Sequence, residues 1–126
     1  MARILIVEDN PDLLQILDHL LSAEHEVMTA RRGEDGIALA RAFHPEVVIM
    51  DLQLPAMDGI EAGLWLKRET ASNPVPILVL TGMVAEGDAE AIMASGCCDS
   101  YLAKPAPLSV IRERVEELLH GERSAA

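Results

Sequence analysis

Five residues able to bind or transfer a charged group lie just after short apolar runs of the sequence. They are three carboxylic acids, a hydroxyl and an amine: Glu8, Asp9, Asp51, Thr81 and Lys104. Three carboxylates brought together repel one another, and a bound divalent cation removes that repulsion. Ligand sets made only of oxygen suit Mg²⁺, which uses few protein ligands and keeps several waters. With the ammonium and the hydroxyl nearby, the set predicts a Mg²⁺ site that receives a phosphoryl group.

Asp51 can do more than receive a ligand, because a carboxylate can act as a nucleophile and form an aspartyl phosphate. Taken alone, an aspartate after a strand is usually a turn or cap residue. The pair Glu8 and Asp9 could likewise serve only the N-terminus of a helix, where the dipole favours acids. The combination favours chemistry, since the five residues follow four different apolar runs.

The elements that must position these residues alternate regularly along the chain. The predicted strands are Ile4–Val7, Glu26–Ala30, Val47–Met50, Pro76–Leu80 and Ser100–Ala103. The predicted helices run from Pro11 to about Glu24, Gly33 to Phe43, Ile60 to Thr70, Ala85 to Ala94 and Pro107 to about His120. This alternation predicts an α/β fold with a parallel sheet and helices on both faces. In such a sheet, ligands bind beyond the carboxyl ends of the strands.

The composition limits what the chain can bind. We expect one domain at residues 1–120 and a flexible tail or the start of a linker at 121–126, from a total of 126 residues. A net charge of −11 argues against nucleic acid and anionic membrane as direct partners. Cys97 and Cys98 are adjacent and are not a disulfide framework, so we expect packing residues and a reducing cytoplasm.

The sequence resembles the receiver domain of two-component response regulators from Arg3 to about Leu119. Four stretches carry the resemblance: Ile4–Asn10, Met50–Gly59, Leu80–Gly82 and Tyr101–Pro105. The segments Trp65–Lys67 and Gly96–Cys97 are similar to single-domain receivers of the cell-cycle type. The resemblance implies a flavodoxin-like (βα)5 fold, with a doubly wound, five-stranded parallel sheet of order 2-1-3-4-5.

The resemblance also implies a role for each polar residue of the site. Asp51 would accept a phosphoryl group from a histidine kinase or a histidine phosphotransfer protein. Asp9 would be a direct Mg²⁺ ligand and Glu8 a ligand through water, with the backbone carbonyl of Gln53 completing the set. The protein would then be a signalling switch whose only reactions are self-phosphotransfer and autodephosphorylation.

A second group of residues would convert phosphorylation into a change of shape. The resemblance implies that Lys104 pairs with a phosphoryl oxygen and that the Lys104–Pro105 bond is cis. Thr81 would move toward the phosphoryl group, and Tyr101 would rotate inward into the vacated space. The last two predicted helices and the strand between them would control a downstream protein or a fused output domain.

Gln53 and Met83 bear on how long the phosphoryl group lasts. Gln53 lies two residues after Asp51, and Met83 lies two residues after Thr81. Both should flank the path of an attacking water. A long amide and a bulky apolar side chain there should hinder hydrolysis, which predicts slow autodephosphorylation.

The first predicted helix has a broad apolar arc, with Leu14 and Ile16 at its opposite edges. These edge residues either complete the core or dock a kinase or phosphotransfer helix bundle.

Three other functions are weaker interpretations of the same residues. A phosphatase or mutase with an aspartate nucleophile needs a second aspartate two residues on, where this chain has Gln53. A nucleotide- or flavin-binding module needs a glycine-rich turn after the first strand, where this chain has the acidic segment Glu8–Pro11. An unphosphorylated protein-binding scaffold would not need the full set of acidic, hydroxyl and amine groups.

Overall fold

Strands and helices alternate along the chain in the computed structural model, which describes residues 1–55, 57–82 and 87–121. The strands are β1 (Arg3–Val7), β2 (Glu26–Ala30), β3 (Val47–Met50), β4 (Ile77–Thr81) and β5 (Ser100–Ala103). The helices are α1 (Pro11–Ser22), α2 (Gly33–Phe43), α3 (Gly59–Glu69), α4 (Asp88–Ala94) and α5 (Leu108–Leu119). Within these described residues, no helix combines the length and the apolar character needed to cross a membrane.

The five strands form one parallel sheet in the order β2-β1-β3-β4-β5. This order confirms the predicted flavodoxin-like, doubly wound topology. The chain leaves β1 toward one edge of the sheet and returns at β3 toward the other. The direction of winding therefore reverses between β1 and β3, and a cleft opens there beyond their carboxyl ends.

Helices cover both faces of the sheet, so its central strands are apolar on both sides. Every residue of β3 and β4 is buried. Along β1, Ile4 and Ile6 pack with the cluster that contains α1 and α5, whereas Leu5 and Val7 pack with the cluster that contains α2, α3 and α4. This alternation follows from the two-residue period of a strand, and it explains the continuous apolar runs in the sequence.

The element boundaries agree with the predicted ones to within a few residues, and two differences concern the site. Thr81 is the last residue of β4, whereas the sequence placed it after the strand. The described part of α4 begins at Asp88, and the predicted start at Ala85 lies outside the described residues. The side chain of Asn10 caps α1, accepting hydrogen bonds from the backbone N–H groups of Asp12 at 2.9 Å and Leu13 at 3.2 Å.

Helix α3 packs closely against the segment that leads into β5. A Cβ atom at Gly63 would lie 2.5 Å from the carbonyl oxygen of Cys97 and 3.2 Å from Cε of Met50. Cys97 and Cys98 are free and buried, which agrees with their predicted packing role. Position 63 therefore requires glycine, because a Cβ atom there would come too close to the backbone of Cys97.

We expect Gly63→Ala to destabilise the protein. Alanine gains roughly 0.5–1 kcal/mol in a helix interior, but overpacking typically costs about 1–3 kcal/mol, and here the obstacle is backbone. The control is Gly82→Ala, because the nearest atom to a Cβ atom there, among the described residues, is the Cβ atom of Lys104 at 4.0 Å. Urea unfolding of both variants measures the difference, and a Gly63→Ala variant as stable as the control would contradict the packing argument.

Candidate functional site

The carboxyl ends of β1 and β3 bring Glu8 and Asp51 to the same level of the cleft. The backbone N–H of Glu8 donates to the carbonyl oxygen of Ala30 at 2.9 Å, and that of Asp51 donates to the carbonyl oxygen of Val7 at 3.1 Å. Both residues thus extend the ladder by one position beyond their strands. Their exposed fractions are only 2% and 4%, so two carboxylates are buried side by side. Buried carboxylates require compensation by charge or hydrogen bonds.

Lys104 supplies this compensation from the far side of the cleft. Its ammonium nitrogen lies 2.8 Å from Oε1 of Glu8 and donates a hydrogen bond to Oδ2 of Asp51 at 3.0 Å. The backbone N–H of Lys104 donates to the carbonyl oxygen of Thr81 at 2.8 Å, which fixes the approach of its side chain. The Lys104–Pro105 peptide bond is cis, as the resemblance implied.

Backbone N–H groups bind the remaining oxygens of the two buried carboxylates. Oε2 of Glu8 accepts from the N–H of Asn10 at 3.0 Å, and Oδ1 of Asp51 accepts from the N–H of Gln53 at 3.0 Å. Each carboxylate is therefore held at both oxygens, once by Lys104 and once by the loop that follows its own strand. These bonds orient the side chains before any ligand arrives.

Asp9 completes an acidic cluster with these two residues. One carboxylate oxygen from each of Glu8, Asp9 and Asp51 lies within 4.8 Å of the others, close enough to surround one metal ion. Asp9 is partly exposed, so the cluster opens toward solvent on its side. An all-oxygen set with room for water fits the hard cation Mg²⁺. With one ammonium against three carboxylates, the site also retains negative charge that a divalent cation would balance.

Burial and pairing change the pKa values of Glu8 and Lys104. Burial raises the pKa of Glu8 above its ordinary value of 4.5, and the hydrogen bonds from Lys104 and Asn10 only partly offset that rise. Burial by itself lowers the pKa of Lys104, but its bonds to Glu8 and Asp51 outweigh this effect and raise the pKa overall. Lys104 therefore remains charged at neutral pH.

The structure places the other predicted residues around this cluster to different extents. Thr81 is fully buried at the end of β4. Gln53 is exposed, and its carbonyl as a metal ligand stays a prediction. Met83 lies outside the described residues. Tyr101 is 8% exposed, and its buried hydroxyl has no hydrogen-bond partner among the described residues. Its rotation on phosphorylation stays a prediction.

A supporting contact that the sequence did not indicate fixes the start of β5. The carboxylate of Asp99 accepts from the backbone N–H of Ile77 at 2.8 Å and from the ammonium of Lys67. Lys67 also donates to the carbonyl oxygen of Val75 at 2.8 Å. No sequence signal identifies this group, because its members come from α3, β4 and the segment before β5.

The pKa of Glu8 leads to a pH-dependent prediction. Because that pKa is raised in the folded state, the contribution of Glu8 to stability is fully present below pH 4.5 and is lost as pH rises through the folded value. We expect the stability of the wild type relative to Glu8→Gln to increase as pH falls from neutral toward 4.5. Urea unfolding in EDTA measures this difference, and a difference that is constant or shrinks on acidification would contradict the prediction.

Comparison with known proteins agrees with this geometry. The family model for the response regulator receiver domain matches residues 4–116. The polar-differentiation response regulator DivK of Brucella ovis is 32% identical over 117 residues, which cover 92% of this chain and 94% of that protein.

Solved structures give the same result. The chemotaxis response regulator CheY4 of Vibrio cholerae is 28% identical with a TM-score of 0.84, covering 94% of this chain and 98% of that one. The receiver domain of the sensor histidine kinase PA1611 from Pseudomonas aeruginosa is 27% identical with a TM-score of 0.83 and the same coverage, and its structure has a magnesium ion coordinated in the active site cleft. The chain belongs to the response-regulator receiver domain family and is homologous to DivK.

Proposed function

We propose that this protein is the phosphoacceptor switch of a two-component phosphorelay, in which Asp51 receives a phosphoryl group from a histidine kinase or a histidine phosphotransfer protein. The observation that carries the proposal is the pairing of the buried Asp51 carboxylate with the Lys104 ammonium at 3.0 Å, beside the acids Glu8 and Asp9. A carboxylate held between a cation and a metal-binding cluster can approach a dianionic phosphoryl group without prohibitive repulsion.

Mg²⁺ is the cofactor we propose, and when bound it would neutralise charge on the phosphoryl oxygens. Asp9, Asp51 and the carbonyl of Gln53 would hold it directly, with Glu8 acting through water. The magnesium ion in the PA1611 receiver structure supports this choice. The donor set is made of oxygen, which agrees with the preference of this ion.

The residues of the chain have distinct roles in the proposed transfer. An oxygen of Asp51 attacks phosphorus, the new O–P bond forms, and the P–N bond to the donor histidine breaks. The N–H of Gln53 holds Oδ1 of Asp51, which limits rotation of the nucleophile. Lys104 binds a phosphoryl oxygen, and the Thr81 hydroxyl donates to another.

Phosphorylation would change which partners Lys104 prefers. Its ammonium is shared between Glu8 and Asp51. A phosphoryl group brings about −1.5 to −2 charges, by analogy with other phosphorylated side chains. Lys104 and Thr81 would bind it best in one arrangement, which shifts the population toward that arrangement. The output surface would consist of α4, β5 and α5, and would control a downstream protein or a fused output domain.

The donor protein would dock beside the cleft. Ile16 on α1 and Leu108 at the start of α5 are 47% and 42% exposed, and both line a groove with Leu20. Ile16 is one of the two edge residues of the α1 arc, and its exposure favours docking over a core role.

A cytoplasmic location is part of this proposal, since the kinase phosphohistidine and two free thiols both fit a reducing compartment.

The phosphatase or mutase alternative receives no support from the site. The position two residues after Asp51 holds Gln53, whose side chain has no acidic proton to donate.

Asp51→Asn should abolish phosphorylation by acetyl phosphate in the presence of Mg²⁺, because an amide is a poor nucleophile and a poor metal ligand. The matched control is Asp58→Asn, since Asp58 caps α3 by accepting from the N–H of Ile60 at 2.9 Å and asparagine is an equally good cap. Intact-protein mass spectrometry should show a phosphorylated species in the wild type and the control alone. Phosphorylation of Asp51→Asn at the wild-type level would overturn the proposal.

Asp9→Asn should weaken Mg²⁺ binding by about tenfold or more, since even outer-sphere partners of a metal site typically contribute 10- to 100-fold. Asp12→Asn is the control, because Asp12 is exposed in the first turn of α1 and outside the acidic cluster. Isothermal titration calorimetry with MgCl₂ gives both affinities. Equal affinities in the two variants would remove Asp9 from the site.

A further inference from the structure

Arg114 on α5 makes a polar contact with β5 that the proposed site does not use. Its Nη1 atom donates one hydrogen bond to Oγ of Ser100 at 2.6 Å and a second to the carbonyl oxygen of Tyr101 at 3.3 Å. Ser100 is fully buried and Arg114 is half-buried. The guanidinium of α5 is thus bound to the same strand that carries Tyr101 and leads to Lys104.

Strand β5 is well placed to move as a unit. It lies at the edge of the sheet, and among the described strands it pairs only with β4. It is four residues long. This short extended segment is all that separates the acceptors of Arg114 from Lys104 along the chain. At its carboxyl end, Lys104 binds both Glu8 and Asp51. A displacement that begins at Lys104 therefore reaches Ser100 through a single extended segment.

The contact itself is suited to transmit such a displacement. A hydrogen bond from a charged donor is stronger and more directional than one between neutral groups. Breaking it would also leave the Ser100 hydroxyl to find another partner in a buried position, which is unfavourable. Arg114 therefore resists separation of β5 from α5.

We propose that Arg114 is a positioning residue of the switch, which ties α5 to β5 through Ser100 and Tyr101, so that a change at Lys104 on phosphorylation of Asp51 moves α5. The inference rests on the proposed function and names the connection between its site and one helix of its output surface. The two hydrogen bonds explain why β5 and α5 respond together.

The test measures backbone amide chemical shifts with and without beryllofluoride and Mg²⁺, which together mimic the phosphoryl group. Arg114→Gln removes the charged donor, Ser100→Ala removes the nearer of its two acceptors, and Arg112→Gln is the control because Arg112 is exposed on the same helix. The amides of Gly82 and Lys104 report on the site, and those of α5 report on the output. Comparing each variant with itself removes the direct effect of the substitution.

We expect the wild type and every variant to show the ligand-induced shifts at Gly82 and Lys104. The shifts in α5 should fall by at least about twofold in Arg114→Gln and Ser100→Ala, within the usual range of coupling effects, and stay at the wild-type level in Arg112→Gln. Arg114→Lys should recover most of the loss, since an ammonium can still donate to the same acceptors.

Two different results would contradict the role of Arg114 and the proposed function, respectively. Suppose that Ser100→Ala and Arg114→Gln respond normally at Gly82 and Lys104 and show shifts in α5 as large as those of the wild type. The role of Arg114 would then be overturned, and the proposed function would stand. Loss of the site response at Gly82 and Lys104 in the wild type would overturn the proposed function and this inference together.

Discussion

The sharing of one ammonium by two buried carboxylates is the interaction on which the rest of the site depends. Lys104 lies within 3.0 Å of an oxygen of Glu8 and of Asp51, while backbone N–H groups hold the other two oxygens. Removing carboxylates from water is unfavourable unless charge and hydrogen bonds replace the hydration. With Asp9 nearby, one positive charge does not balance the cluster. The negative charge that remains suits a divalent cation.

The fold explains how these charges come together and what else they reach. A parallel sheet that reverses its winding between β1 and β3 brings their carboxyl ends to one cleft. Lys104 enters this cleft from β5, the edge strand held at its start by Asp99 and along its length by Arg114. Under the proposed function, a change of charge at Asp51 would act on the strand that also carries Tyr101. In this account, the site and the output surface share one movable element.

Much of this architecture was predictable from the sequence, because it depends on local patterns. The apolar runs of β3 and β4 are buried on both sides, and Asn10 and Asp58 cap their helices as their residue types suggest. Contacts between distant segments had no such signal. The bond between His25 and Glu116 joins residues 91 positions apart at 2.9 Å, and the Arg114–Ser100 contact likewise depends on how α5 lies on the sheet.

The proposed function requires the side chain of Asp51 to carry the phosphoryl group. Borohydride reduction after treatment with acetyl phosphate and Mg²⁺ tests this directly, because hydride converts an aspartyl phosphate to homoserine and releases phosphate. Peptide mass spectrometry then locates the modified position. Homoserine should then be found at position 51. Homoserine at position 9 or 58 in place of position 51, or a reduced glutamyl product at position 8, would contradict it.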